Sequence, residues 1–148
     1  MKKTILTFVL GLSALSFLQG QNLPDYRWEN RVLMVLAGQE NNPILNRQLA
    51  EWGTVWEGIQ ERRLKVLVVT PWEVQEWTPD GYVGEPESSN WYNLYRRTHA
   101  PVEILLFGLD GGLKGQQQNF LINQDLFILI DQMPMRIREM TSEVPPNE

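Results

Sequence analysis

Two strand-length runs that are almost wholly apolar, Arg31–Ala37 (RVLMVLA) and Leu64–Thr70 (LKVLVVT), constrain this 148-residue chain more than any other feature. Neither alternates polar with apolar residues, so each is expected as a strand covered on both faces of a sheet. Between them, Asn42 and Pro43 form an N-cap and first-turn pair. Leu45, Leu49, Trp52, Trp56 and Ile59 then recur at steps of four, three, four and three, which puts all five on one helical face. Gly53 and Gly58 each cost such a helix about 1 kcal/mol relative to alanine. Packing against the sheet must therefore hold it. Strand, helix and strand in so short a stretch make a βαβ unit, whose two strands run parallel.

The ends of the chain are of different character. Met1–Gly20 has a basic start (Lys2, Lys3), an apolar stretch from Ile5 to Phe17 and the small Gly20, the pattern of a secretory signal with cleavage before Gln21. Gly11 and Ser13 interrupt the apolar stretch, which falls short of the roughly 20 residues of a bilayer span, so no membrane span is expected after cleavage. The expected organisation is a signal peptide over 1–20, one domain over 21–141 and a disordered tail over 142–148, since EVPPNE has nothing to pack. Removing 20 of 148 residues leaves 128, room for one core. Losing Lys2 and Lys3 leaves 11 basic against 18 acidic groups, a formal charge of −7 that repels nucleic acid and anionic lipid. Cysteine is absent, so disulfides, thiolate nucleophiles, cysteine metal ligands and a lipidated cysteine are excluded, and His99 is the sole imidazole. A secreted or periplasmic protein stabilised by its core alone is expected.

Beyond the second run, Trp72–Ser89 carries Pro79, Gly81, Gly84 and Pro86 among Glu73, Glu76, Asp80, Glu85 and Glu87, and reads as a long acidic loop. Asn90–Thr98 reads as a short helix with Trp91, Leu94 and Tyr95 on one side and Arg96 and Arg97 near its C-terminal end, where the macrodipole favours cations. Pro101 opens a strand over Val102–Gly108, and Asp110-Gly111-Gly112 supplies a tight turn into Leu113–Gln117, paired antiparallel. Asn123 is expected to cap a final helix bearing Leu126, Phe127, Leu129, Ile130 and Met133, although Leu126–Ile130 also suits a strand. Pro134 breaks or restarts that helix.

Trp28-Glu29-Asn30-Arg31-Val32-Leu33, Gln48, Gly108-Leu109-Asp110-Gly111-Gly112 and the stretch from Asp131 through Met133-Pro134-Met135-Arg136 to Met140 together resemble domain-of-unknown-function family four-one-seven-four. The resemblance spans about Leu23 to Met140, and the order of elements is that of thioredoxin-like domains. It implies an α/β fold, a thioredoxin-like three-layer sandwich with a mixed central sheet. It also implies an extracytoplasmic location, likeness to the peroxiredoxin-like domain of animal matrix proteins bearing sushi repeats, and no established activity. The chain departs from the family pattern at Leu109, where lysine is usual, and at Arg63, where aspartate often follows arginine. In catalytic thioredoxins and peroxiredoxins the thiolate sits in the turn after the first strand, at a helix N-terminus. Here that turn is Gly38-Gln39-Glu40-Asn41-Asn42, so thiol exchange and peroxide reduction are excluded by chemistry.

Two constellations remain as candidates. Trp72, Trp77, Tyr82 and Trp91 could form a stacking platform for a sugar or peptide, with Glu73, Glu76 and Asp80 binding hydroxyls or amines; alternatively the aromatics pin the loop to the body. Asp131, Met133, Pro134, Met135, Arg136, Arg138 and Glu139 could form a Met-rich docking surface with a structural or assembly role, or a helix end with surface ion pairs. His99 has no evident catalytic partner, and a solvent-facing histidine is the commoner case. The loop acids lack the alternation of a calcium site, and Gly108–Gly112 lacks the spacing of a phosphate loop. The expectation is a non-catalytic interaction module without cofactor or metal, whose partner is an extracytoplasmic protein or glycan. The alternative is a cell-envelope hydrolase working through loop carboxylates.

Overall fold

The computed structural model describes residues 23–142; the expected signal peptide and residues 143–148 of the expected tail lie outside the described residues. A mixed six-stranded sheet in the order β4-β3-β2-β1-β5-β6 forms the middle layer. The two apolar runs are β1 (Arg31–Ala37) and β2 (Leu64–Val69), and they pair parallel, as a βαβ unit requires. The remaining strands, β3 (Glu73–Thr78), β4 (Gly81–Ser88), β5 (Val102–Phe107) and β6 (Leu113–Gln118), pair antiparallel.

Because both faces of β1, β2 and β5 are covered, each face carries its own core. On one, Leu33, Val35, Val66, Val68, Ile104 and Leu106 meet α1 (Pro43–Thr54), α2 (Trp56–Glu61) and α4 (Asn123–Asp131). On the other, Met34, Leu36, Leu67, Val69 and Leu105 meet Trp91 and Tyr92 of α3 (Trp91–Tyr95) and the short 3-10 turn Leu23–Tyr26. The expected three-layer arrangement follows. No helix of the described residues is long and apolar enough to cross a membrane.

The helical stripe of five apolar residues is real, but the helix is not continuous. Val55 leaves helical geometry at φ −121° and ψ 27°, ending α1 and starting α2. Gly53, Thr54 and Val55 are weak helix formers in sequence, and the break still buries Trp52 and Ile59 completely. Asn42 caps α1 as expected, its side chain accepting from the amides of Ile44 (2.9 Å) and Leu45 (3.3 Å). Asn42→Ala is expected to cost about 1 kcal/mol, read from the urea midpoint; no change would mean water replaces the cap without loss.

Trp72–Ser89 is not a long loop: most of it is the β3–β4 hairpin. Pro79 and Asp80 occupy the turn, Gly81 takes φ +121° next to it, and the Thr78 hydroxyl donates to the Gly81 carbonyl at 3.2 Å. Gly84, Glu85 and Pro86 stand opposite Gln75 in a bulge of β4, where Gly84 has φ +67°. Since β4 is an edge strand, the amide that Pro86 lacks is one no neighbour needs. The prolines and glycines punctuate strands here.

Two smaller expectations are also corrected. Asn123 does not cap α4; Ile122 holds the cap position, and the Asn123 amide donates instead to Glu51 on α1 at 3.3 Å. As expected, Pro134 restarts the final helix, opening α5 (Pro134–Ser142) at a first-turn place where its missing N–H costs nothing. In α3 it is Tyr92 rather than Leu94 that is buried with Trp91. Arg96 lies past the helix and donates to the carbonyls of Thr98 (2.8 Å) and Ala100 (3.0 Å).

Candidate functional site

In open α/β sheets, ligands bind outside the carboxyl ends of parallel strands. Here β1 is followed by the turn Gly38–Asn42 that enters α1, and β2 ends at Val69, just before the β3–β4 hairpin. Between α1 and that hairpin lies a surface cavity of about 350 Å³ lined by Glu40, Asn41, Asn46, Leu49, Ala50, Trp77 and Tyr82. Trp77 and Tyr82 are register partners across β3 and β4 and so share a face. An edge-on contact with Trp56, at 5.8 Å between ring centroids, holds Trp77 in place, while Tyr82 remains 40 % exposed. A hydrogen bond with Glu40 pushes the Glu73 carboxyl above its ordinary value. Burial, and then the Glu40 charge, pushes the Tyr82 phenol up.

The predicted aromatic platform is thus only partly assembled. Trp77 and Tyr82 meet, and Glu73, four residues before Trp77 on the same face of β3, feels Glu40 but does not line the cavity. Trp72, next in sequence to Glu73, is 69 % exposed. Trp91 belongs to the opposite face, 3 % exposed and edge-on to Tyr95. Glu76 is in register with Leu67 on that same opposite face, paired with Lys65 at 2.7 Å, whereas Trp77 is in register with Val66. Asp80 sits exposed in the hairpin turn, and His99 in an exposed loop before β5. The loop carboxylates therefore do not converge as an acid–base pair would. Glu40, Asn41 and Asn46 were missed in the sequence, because nothing local links them to residues of the hairpin.

The stretch Asp131–Met140 builds an ion-pair brace. Arg136 is 1 % exposed; its guanidinium donates to the Glu61 carboxylate and carbonyl, to Asp131 (3.3 Å) and to Glu139 (3.5 Å). Arg62 forks onto Asp131 at 3.0 and 2.7 Å and stacks over Phe127 at 3.9 Å. Arg31, equally buried, forks onto Glu139 with both contacts at 3.2 Å. Burial pushes the Asp131 carboxyl up, but the hydrogen bonds and charges of Arg62 and Arg136 outweigh it and hold the group below its ordinary value. Three guanidiniums and three carboxylates thereby tie α5 and α4 to the α2–β2 turn and to the start of β1.

This brace bears on the predicted docking surface. Arg136 faces inward, Met133 packs on the core, and Met135 and Glu139 are half-buried; only Pro134 and Arg138 of that set are exposed. Leu109, at a position of departure, is buried, and its carbonyl accepts from the Trp28 amide at 2.7 Å. Arg63, the other, lies at φ +54° and donates to the Trp28 carbonyl at 3.1 Å. Gln48 is also structural, its side chain and the Leu121 backbone exchanging hydrogen bonds of 3.1 and 2.6 Å.

Among solved structures, the chain is similar to a reduced 2-Cys peroxiredoxin of Plasmodium vivax, at 13 % identity and a TM-score of 0.53, over 85 % of this chain and 76 % of that one. It is also similar to thioredoxin peroxidase I of Plasmodium yoelii, at 14 % identity and a TM-score of 0.48, over 84 % and 83 % of the two chains. At such identity the first likeness shows the fold alone, which is thioredoxin-like. No curated protein matches the chain. The sequence profile of the domain of unknown function DUF4174 matches residues 22–139, and the chain therefore belongs to that family.

Proposed function

We propose that this chain is an exported, non-catalytic binding module of thioredoxin-like fold, whose ligand seat is the cavity between α1 and the β3–β4 hairpin. The turn that carries the nucleophile in thiol enzymes is here part of that seat. One observation supports the reading above the others: Trp77 and Tyr82 share a face over a cavity that also presents Glu40, Asn41 and Asn46. Ring faces with a few polar groups beside them suit recognition of a peptide or glycan from an extracytoplasmic partner. The hydrolase alternative is disfavoured by the placement of Glu76 and Glu73 on opposite faces of the sheet.

A thermal-shift panel of oligosaccharides and peptides tests this. A ligand that binds the folded state alone stabilises it by about 2.7 kcal/mol at a hundredfold excess over Kd. The expected result is a raised midpoint with one class of ligand, abolished in Tyr82→Ala. A panel without any shift, or a shift that Tyr82→Ala leaves intact, would overturn the assignment.

A further inference from the structure

We propose that the cavity between α1 and the β3–β4 hairpin takes a cationic side chain, the lysine or arginine of a basic partner peptide, seated against the faces of Trp77 and Tyr82 beside Glu40 and Glu73. The inference rests on the binding reading above and names its ligand class. The rings come first. Among the described residues, four guanidiniums already stack on aromatic rings, Arg27 on Trp28, Arg47 on Phe120, Arg62 on Phe127 and Arg96 on Tyr92, at 3.9 to 5.6 Å from the centroids. Trp77 and Tyr82 take no part in these pairs, although they face the cavity. Their π faces carry the partial negative charge that draws a cation.

Charge complementarity points the same way. No basic side chain lines the cavity, and Lys65 is engaged by Glu76 on the other face of the sheet. Glu40 lines the cavity, and Glu73 lies on the same face of β3 as Trp77 with its carboxyl pushed above its ordinary value by Glu40, so the two acidic groups disfavour each other's ionisation. A cation inserted beside them removes that repulsion. Exposed Glu85 lies in the bulge of edge strand β4, whereas Glu87, in register with Val74, belongs to the opposite face of the sheet. A neutral sugar would satisfy the rings and leave the carboxyl pair uncompensated. A metal ion fits less well, because among the described residues no three His, Asp or Glu side chains are placed to hold one. A volume of about 350 Å³ accepts one long side chain.

The test is a tryptophan-fluorescence titration of the purified protein with three probes: an octapeptide containing four arginines, its counterpart with glutamates in their place, and a chitin tetrasaccharide. The expected result is saturable binding of the arginine peptide alone. Glu40→Gln combined with Glu73→Gln should weaken it at least about tenfold, as should Tyr82→Ala, while unfolding midpoints stay within error of the parent. Binding of the arginine peptide that the Gln substitutions leave unchanged would overturn the proposal. Binding of the tetrasaccharide but not of the arginine peptide would overturn the cationic ligand and leave the cavity as a binding site. Binding of none of the three would overturn the cationic ligand, and the thermal-shift panel then decides separately whether the cavity binds anything.

Discussion

Replacing Arg136 by methionine is expected to lower the free energy of unfolding by about 3 kcal/mol, and the melting midpoint by on the order of 10 °C. Methionine fills much of the same volume, so the loss is electrostatic. Arg136 is 1 % exposed and satisfies Glu61, Asp131 and Glu139 at once, and its removal leaves Asp131 to Arg62 and Glu139 to Arg31 and Arg63, with one cation fewer among the three carboxylates. Removing one partner of a buried pair costs about 3 to 5 kcal/mol. The lower end applies because the Glu61 side chain is 55 % exposed and can return to water, which Glu139, at 19 %, does less readily. The pH dependence supplies an internal check. Asp131 titrates lower in the folded state than its ordinary 3.8, so its stabilisation is complete above that value and is lost as pH falls through it. The gap between parent and Arg136→Met should therefore narrow on acidification below about pH 4. A gap that stays constant from neutral pH to pH 3 would show that Arg136 acts through packing alone.

Trp52→Ala is the other large expected effect, about 3 to 5 kcal/mol by urea denaturation. The indole is fully buried in α1, under the sheet face that carries Leu33, Val35 and Val66. Truncation leaves a void that the surrounding strands, fixed by their own ladders, cannot close. The indole nitrogen is buried without a hydrogen-bond partner, so Trp52 serves by volume and not by its polar group. Trp52→Phe discards that unpaired N–H and keeps most of the ring, and is expected to cost at least about 2 kcal/mol less than the alanine variant. Equal costs for the two variants would mean that the N–H is paired in solution.

Both predictions concern residues visible in the sequence, but in unequal ways. Trp52 was legible as a core residue because the four-and-three spacing is a local property of one helix, and tertiary contacts only confirmed which face turns inward. Asp131, Arg136 and Glu139 were legible as a charge cluster; that the cluster faces inward was not. Burial of a guanidinium depends on acceptors from elsewhere, here Glu61, whose place 75 residues away in the chain no spacing rule reveals. The hairpin was misread for a related reason. Proline and glycine mark departures from regular backbone, and both an edge strand with a bulge and an irregular loop supply those departures. Whether a neighbouring strand lies alongside distinguishes them.

The sequence by itself determined the apolar strands and their βαβ handling, the capped and striped helix, the hairpin turn at Asp110–Gly112 and the exclusion of thiol chemistry. Each of these depends on adjacent residues or on composition. Tertiary structure alone decided which aromatics share a surface. Alternation along β3 sends Trp77 and Glu76 to opposite faces, pairing brings Tyr82 beside Trp77, and the β1–α1 turn brings Glu40 to the same cavity. A binding surface is made from residues distant in sequence, and their encounter depends on strand order and register, which local patterns do not encode.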